Sequence, residues 1–303
     1  MATETNFKIT VSDAALSALQ NKLAHATLPD ELDEAGWDYG VPLADVRRLI
    51  TQWTNGYDWR AHEAALNAEL PQFTRDIEID DFGTLNIHYV HKRSEVDSAI
   101  PLLFVHGWPG SFIEVRKILP LLTAKPQKDD HPSFHVVALS LPGFGFSEAP
   151  HRKGFAAIQY AEITGVNANM NGPKHVKAWH TNGIYSGGSP PTIWTPLRYL
   201  RYLITPLSAA EKAGQERSRW FITRQNGYYE EQSTQPQTLG YALADSPVGL
   251  LAWIYEKLVQ WTDSYPWEDD EVLTWVSIYL FSRAAPRRSL RIYYEELIHQ
   301  PKS

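Results

Sequence analysis

The chain has 303 residues, with 28 Lys and Arg against 35 Asp and Glu, so its formal net charge is −7. This acidic balance argues against a nucleic-acid-binding protein, which would carry basic clusters. The absence of cysteine excludes a disulfide scaffold, a thiolate metal site and a cysteine nucleophile.

The sequence predicts neither a secretory signal nor a transmembrane segment. Residues 1–10 lack a basic stretch followed by an apolar one, and no apolar run approaches 18 residues. We therefore expect a cytoplasmic protein without a membrane span, and the sequence is compatible with a homodimer.

The first 70 residues predict three helices. Leu16, Leu19 and Leu23 recur at helical spacing, and an apolar stripe over residues 43–53 predicts a second helix. Asp58 is placed to cap a third.

The period then changes from helix to strand. Residues 77–79 and 85–89 alternate around a turn at 81–83, which predicts a hairpin. Two continuous apolar runs follow, at 101–105 and 134–141, and such runs are typical of strands buried on both faces of a parallel sheet.

A helix is predicted between these two strands. Ser111 and Glu114 have the spacing of a capping box, and the apolar pattern continues through Ile118 and Leu122. Strand, helix and strand in this order predict a βαβ unit and the α/β class.

The second half of the chain predicts helices. Ser208 and Glu211 form another capping box, Ser246 and Pro247 mark a further helix start, and residues 269–281 have an apolar face. No buried strand is predicted after residue 150. We therefore expect a helical insertion and a short sheet.

Two tight turns follow the two apolar strands. The first, at 106–111, reads His-Gly-Trp-Pro-Gly-Ser; the second, at 141–150, reads Leu-Pro-Gly-Phe-Gly-Phe-Ser-Glu-Ala-Pro. A glycine at the start of a helix lets backbone N–H groups approach a developing negative charge, as an oxyanion hole requires. Either turn alone is an ordinary βα connection, whereas the pair in this order is specific.

The pair of turns resembles the α/β-hydrolase fold in its epoxide hydrolase branch. Residues 37–40, 57–60 and 71–73 are similar to the N-terminal segment of microsomal-type epoxide hydrolases, particularly their soluble fungal relatives. Residues 244–250 and 253–257 resemble the family's cap. The resemblance covers most of the chain and implies an α/β-hydrolase fold with a mostly parallel sheet and a helical cap.

The resemblance also suggests four parts of the chain. The expected boundaries are an N-terminal helical segment at 1–75, the first half of the hydrolase core at 76–163, a helical cap at 173–290 and the start of a truncated C-terminal core at 291–303.

The family resemblance implies a two-step hydrolysis of a small-molecule epoxide, with no metal or cofactor. A carboxylate opens the ring and forms an ester, and a histidine–acid pair then activates water. Two cap tyrosines hydrogen-bond the epoxide oxygen and protonate it as it leaves. Carried over by motif, these tyrosines are Tyr228 and Tyr293, each with a tyrosine neighbour that could shift the register by one.

The same resemblance assigns the first turn. His106 shapes the turn and is not the catalytic histidine, and Trp108 lends its backbone N–H to the oxyanion hole. Gly107 and Pro109 complete this oxyanion and substrate turn.

The sequence departs from the family pattern where the nucleophile should stand. The family carries an aspartate on a strand-to-helix elbow. Residues 164–172 contain no aspartate, serine or apolar strand, and no Gly-x-Asp-x-Gly or Gly-x-Ser-x-Gly occurs in the chain. A passage of about twenty to thirty residues, the size of most of a βαβ unit, is expected to be missing, so the core sheet is expected to be incomplete.

Other side chains are weaker candidates for the missing groups. The possible nucleophiles are Ser186, Ser189, Asp245 and Glu162. Neither serine follows a predicted strand, the aspartate precedes a helix cap, and the glutamate belongs to an exposed helix face. The chain ends soon after the second tyrosine motif. His175 and His180 have no acid partner at motif spacing, and His299 lies near the end with no strand after it.

Three functions stay open at this point. The first is hydrolysis of lipophilic epoxides to vicinal diols, in detoxification or aromatic hydrocarbon catabolism, with activity impaired in this chain. The second is a non-catalytic protein that binds a small molecule, or a truncated gene product, with an exposed sheet edge that promotes aggregation. The third, an esterase or dehalogenase, is disfavoured by the paired tyrosines and the absent serine elbow.

Overall fold

The computed structural model describes residues 3–126, 131–164, 176–182, 195–284 and 288–299. In these ranges the strands are β1 (Thr5–Phe7), β2 (Gln72–Ile79), β3 (Gly83–Lys92), β4 (Ile100–Val105) and β5 (Phe134–Leu139). The α-helices of the same ranges are α1 (Asp13–Ala24), α2 (Leu43–Asn55), α3 (Trp59–Glu69), α4 (Leu119–Thr123), α5 (Ala157–Thr164), α6 (Pro196–Ile204), α7 (Ala209–Trp220), α8 (Gly227–Thr234), α9 (Pro236–Asp245), α10 (Pro247–Gln260), α11 (Asp269–Leu280) and α12 (Arg291–His299).

Helix starts follow the predicted caps. The Asp58 carboxylate accepts the Arg60 N–H at 2.9 Å, and α3 begins between them. Ser208 and Glu211 form the complete capping box of α7. Ser246 caps α10, with Pro247 at its first position. Caps are readable from sequence because their hydrogen bonds span only two or three residues.

The helix predicted after Ser111 is divided in two. The capping box with Glu114 is present, but it opens a 3-10 turn at Phe112–Val115, and α4 begins only at Leu119. Pro120 lies in the first turn of α4. A proline there has no N–H to continue a preceding helix, whereas it suits the start of a new one.

The strands form one mixed sheet in the order β1-β2-β3-β5-β4. β2 and β3 are the predicted hairpin, and β4 and β5 are the predicted parallel pair. The expectation of a mostly parallel sheet was wrong for the described residues, because β1–β2, β2–β3 and β3–β5 pair antiparallel. For β2 and β3 the reason is the short turn between them, which permits only antiparallel pairing because a parallel pair needs a long crossover. The short β1 strand was not predicted.

The central strand β3 separates two apolar clusters. Leu85, Ile87 and Tyr89 belong to the cluster that contains most of the buried residues of α2, α10 and α11. Val90 belongs to the second cluster, which contains buried residues of α3 and Phe112. Because side chains alternate along a strand, β3 is covered on both faces.

The apolar strand β4 is less buried than its sequence predicts. It lies at one end of the sheet, where Ile100 is 50% exposed and Val105 44% exposed. The prediction that this run is buried on both faces was therefore wrong, because its only partner strand among the described residues is β5.

A membrane-spanning helix would have to be both long and apolar, and none of the helices in the described ranges is. The four predicted domain boundaries stay a prediction.

Candidate active site

The turn after β4 is fixed by hydrogen bonds from α11. Trp275 Nε1 donates to the Pro109 carbonyl at 2.8 Å, and the Tyr279 hydroxyl donates to the Gly110 carbonyl at 2.7 Å. The space beside Gly107 is open, since a Cβ built there would have no heavy atom within 4 Å. The turn is therefore rigidly held and accessible on its glycine side.

His106 lies between the two turns. The Leu141 N–H donates to its Nε2 at 3.2 Å, so Nδ1 carries the proton and donates to the Gly107 carbonyl at 2.8 Å. Burial lowers the pKa of His106 to about 4, so the ring is neutral at pH 7. Both ring nitrogens are occupied in holding the turns together.

The second turn is a buried support for the first. Gly145 has φ of +49°, a conformation that favours glycine. The Ser147 hydroxyl donates to the Ser140 carbonyl at 2.7 Å and accepts the His88 N–H at 2.8 Å. These contacts attach the turn to β3, and through His106 they set the position of the first turn.

An aromatic site forms where α8, α10 and α12 meet the first turn; its members are Trp108, Tyr228, Trp253, Trp261 and Tyr293. The rings of Trp108 and Tyr228 are stacked, with centroids 5.2 Å apart and planes 4° apart. Tyr293 meets both rings edge-on, at 6.0 Å from Trp108 and 5.7 Å from Tyr228. Three residues from distant parts of the sequence thus form one cluster.

The neighbouring tyrosines occupy different positions. Tyr228 is 6% exposed and packs against Trp108. Tyr229 is half-buried and contacts Tyr293, with ring centroids 5.5 Å apart. Tyr294 lines a separate cavity. In each pair, the residue chosen from the motif is the one whose ring contacts the Trp108 indole.

Sequence reasoning missed the contribution of α10 to this site. Lys257 is buried, with Nζ 4.9 Å from the Trp253 ring centroid, 5.7 Å from that of Tyr228 and 5.8 Å from that of Trp261. Burial lowers the pKa of Lys257, against the opposing effect of Glu256, whose Oε1 lies 2.5 Å from Nζ. The signal was present in the sequence, since Trp, Lys and Trp recur every four residues along one helix face.

Several buried polar atoms in and near the site lack partners among the described residues. They include the indole N–H groups of Trp108, Trp253 and Trp261. Both amide atoms of Gln232, which is fully buried one helical turn beyond Tyr228 on α8, are also without a partner. Buried polar groups are normally paired, so these donors and acceptors suit a bound ligand.

Comparisons with known proteins identify the family. The model of the epoxide hydrolase N terminus matches residues 4–115, and that of the alpha/beta hydrolase fold matches residues 100–179. Epoxide hydrolase 1 of Sus scrofa is 32% identical over 96% of this chain and 72% of that protein. The chain belongs to the epoxide hydrolase family. A Stigmatella aurantiaca relative, itself assigned to the epoxide hydrolases, is 37% identical over 96% of this chain and 69% of its own length.

Solved structures agree with this assignment to the epoxide hydrolases. The Aspergillus niger epoxide hydrolase matches with a TM-score of 0.77 at 29% identity, covering 97% of this chain and 78% of that one. The juvenile hormone epoxide hydrolase of Bombyx mori matches with a TM-score of 0.82 at 26% identity, covering 97% and 77%. The predicted α/β-hydrolase fold is therefore confirmed.

This epoxide hydrolase chain is shorter than its relatives within the matched region. The alignment with the Stigmatella protein runs over 314 residues and that with the Sus scrofa enzyme over 338, both more than the 303 residues present here. Each relative thus has residues inside the matched stretch that this chain lacks.

Part of the predicted site lies outside the described residues. This applies to residues 165–175, where the elbow passage was expected and which include His175, and to Ser186 and Ser189. The side chain of His299 is also outside them.

The other weaker candidates lie on the surface of the described structure. Asp245 pairs with Lys22 at 2.9 Å, Glu162 accepts the Asp80 N–H at 3.2 Å, and His180 is exposed.

Proposed function

We propose that this chain retains the epoxide-binding part of an epoxide hydrolase and that its turnover is impaired. The observation that carries the proposal is the convergence of Tyr228 and Tyr293 on the Trp108 indole. In this proposal a lipophilic epoxide lies in the aromatic site, with its oxygen hydrogen-bonded by the two phenols.

The chemistry of the phenol suits this role. A phenol with an ordinary pKa of about 10 stays protonated at pH 7 and can donate to the epoxide oxygen. When a C–O bond of the ring breaks, that oxygen becomes an alkoxide and can take the phenol proton. The aromatic walls favour an apolar substituent on the ring, and detoxification of such epoxides in the cytoplasm is the corresponding cellular role.

The impairment follows from the lack of a carboxylate nucleophile where the family carries one. In the family's reaction a carboxylate attacks a ring carbon and forms an ester, and residues 164–172 offer none. Hydrogen-bond donors alone retain only a small part of a catalytic rate. A non-catalytic small-molecule-binding protein is the limiting case in which turnover is nil, and the unpartnered polar atoms near Tyr228 favour a binding role.

The first test measures binding and turnover separately. Titration with styrene oxide is expected to quench tryptophan fluorescence, and Tyr228→Phe and Tyr293→Phe are each expected to weaken binding about fivefold, the equivalent of one hydrogen bond. Tyr241→Phe is the matched control, because Tyr241 is 70% exposed on α9. Equal binding by all four proteins would refute the assignment of the two tyrosines.

The second test is diol formation. The chain as it stands is expected to produce diol at close to the uncatalysed rate. Replacing residues 164–172 with a strand-to-helix elbow that carries an aspartate is expected to restore the first step only: the carboxylate attacks a ring carbon, the C–O bond breaks, the epoxide oxygen takes a phenol proton, and one equivalent of ester accumulates on the chain, detectable by mass spectrometry. Tyr293→Phe in that variant is expected to slow ester formation. If the unaltered chain forms diol clearly and Tyr293→Phe abolishes this, a nucleophile exists and the proposed impairment is wrong.

A further inference from the structure

A second cavity, which we call the basic cavity, lies apart from the aromatic site. Its volume is about 440 Å³, within the usual range for small-molecule sites. Its walls come from the second turn and the residues after it, from the start of α9 and from α12. Along α12, Tyr293 belongs to the aromatic site, whereas Arg291 and Tyr294 line the basic cavity.

Most of the charged residues that line the basic cavity are cationic. Arg288 and Arg291 line it and are half-buried, and Arg152 and Lys153 are exposed at its edge. Arg152 Nη1 donates to the Asp81 carbonyl at 2.7 Å. The one carboxylate among the lining residues is Glu295, which accepts the Gly154 N–H at 2.8 Å. Four cationic residues and one carboxylate residue therefore line the cavity, in a protein whose formal net charge is −7. Such a reversal of sign in a concave site attracts anions.

The remaining lining adds an apolar surface. Pro142, Phe155 and Ile292 line the cavity beside the arginines. Arg291 Nη2 donates to Gln237 Oε1 at 3.2 Å, which orients its guanidinium. An arginine held in this way suits bidentate binding of a carboxylate.

We propose that the basic cavity binds a small organic anion, with its carboxylate on Arg288 and Arg291 and its apolar part against Phe155 and Ile292. Charge and apolar surface act together in this site, so an inorganic ion or a neutral alcohol binds less well. The proposal is independent of the epoxide-binding role, because Trp108, Tyr228 and Tyr293 are not part of this cavity.

Isothermal titration calorimetry with three ligands of equal chain length tests the proposal. Octanoate is expected to bind, with an affinity that falls as salt is raised. Octanol, which lacks the charge, and octylammonium, which reverses it, are each expected to bind at least tenfold more weakly. Equal binding of octanoate and octanol would overturn the proposal, as would no measurable binding of octanoate.

Variants of the chain locate the site. Arg288→Gln and Arg291→Gln are each expected to weaken octanoate binding about tenfold, the usual effect of removing a charged hydrogen bond. Arg47→Gln, on the exposed face of α2, is the matched control and is expected to bind normally. Tyr293→Phe is also expected to leave octanoate binding unchanged, which separates this site from the aromatic one.

A fold-neutral variant keeps the test decisive. If either arginine variant fails to fold by circular dichroism, Lys153→Gln replaces it, since Lys153 is exposed and its loss is expected to reduce the salt dependence of binding. Octanoate binding that is unchanged by Lys153→Gln and by every arginine variant that folds would refute the assignment.

Discussion

In β3 the side chains are more buried than the sequence pattern predicts, and in β4 they are less buried than it predicts. β3 alternates apolar and polar residues, yet Ile87, His88 and Val90 are completely buried. β4 is entirely apolar, yet Ile100 is half exposed. The difference arises because β3 has a strand on each side and helices on both faces, whereas β4 ends the described sheet.

The β4 sequence is suited to a more central position than β4 occupies among the described strands. Continuous apolar strands normally have neighbours on both sides. The relatives contain residues that this chain lacks, and the proposed loss of an elbow passage would remove a strand from the sheet. The position of β4 at the end of the described sheet is what such a loss would leave.

The same substitution in the two strands should give the largest contrast. Ile87→Ala is expected to lower the free energy of unfolding by about 2–5 kcal/mol, because the side chain is fully buried. Ile100→Ala is expected to cost less than about 1 kcal/mol, because half of that side chain is already in water. Urea unfolding of both variants measures the difference, and equal losses would mean that β4 is covered.

The pH dependence of stability should depend on β3 and on the turns, since β4 has no titratable group. Burial lowers the pKa of His88 to about 3 and that of His106 to about 4, so the unfolded chain binds more protons below pH 6.5. Each histidine therefore lowers the free energy of unfolding by about 1.4 kcal/mol for every pH unit that the pH falls. Burial raises the pKa of Glu114 to about 7, which acts in the opposite direction between pH 7 and 4.5.

Glu114 offsets one of the two histidines in this range. The free energy of unfolding is therefore expected to fall by about 1.4 kcal/mol per pH unit between pH 6.5 and 4.5. His88→Gln should flatten this dependence, and Glu114→Gln should about double it. Urea unfolding at a series of pH values checks all three proteins. A stability that does not change between pH 6.5 and 4.5 in the unaltered chain would contradict the assignment.

The smallest effect on stability is expected at the exposed face of β4. Leu103→Lys should change the free energy of unfolding by no more than about 0.5 kcal/mol, because Leu103 is partly in water. It should nevertheless reduce self-association, because a charged residue on an edge strand opposes pairing with another chain. Size-exclusion chromatography with light scattering measures this, and unchanged association would show that the β4 edge is not the cause.

Prediction from sequence succeeded where the decisive interactions are local. The Ser208 and Ser246 caps, the β2–β3 hairpin and the helical face of α2 each depend on residues a few positions apart. It failed for β1, whose three residues carry too little pattern and whose pairing partner lies more than sixty residues away. It also failed for the exposure of β4, which depends on the neighbouring strands.

The candidate site divides in the same way. The turns, the tyrosine motifs and the absence of an aspartate from residues 164–172 can be read without a structure, because each is a property of the order of residues. The three-dimensional arrangement was needed to find that Tyr228 and Tyr293, not their neighbours, contact Trp108, and that Lys257 lies among the same rings. These contacts depend on how α8, α10 and α12 pack against the first turn, and helix packing is set by burial across the whole molecule.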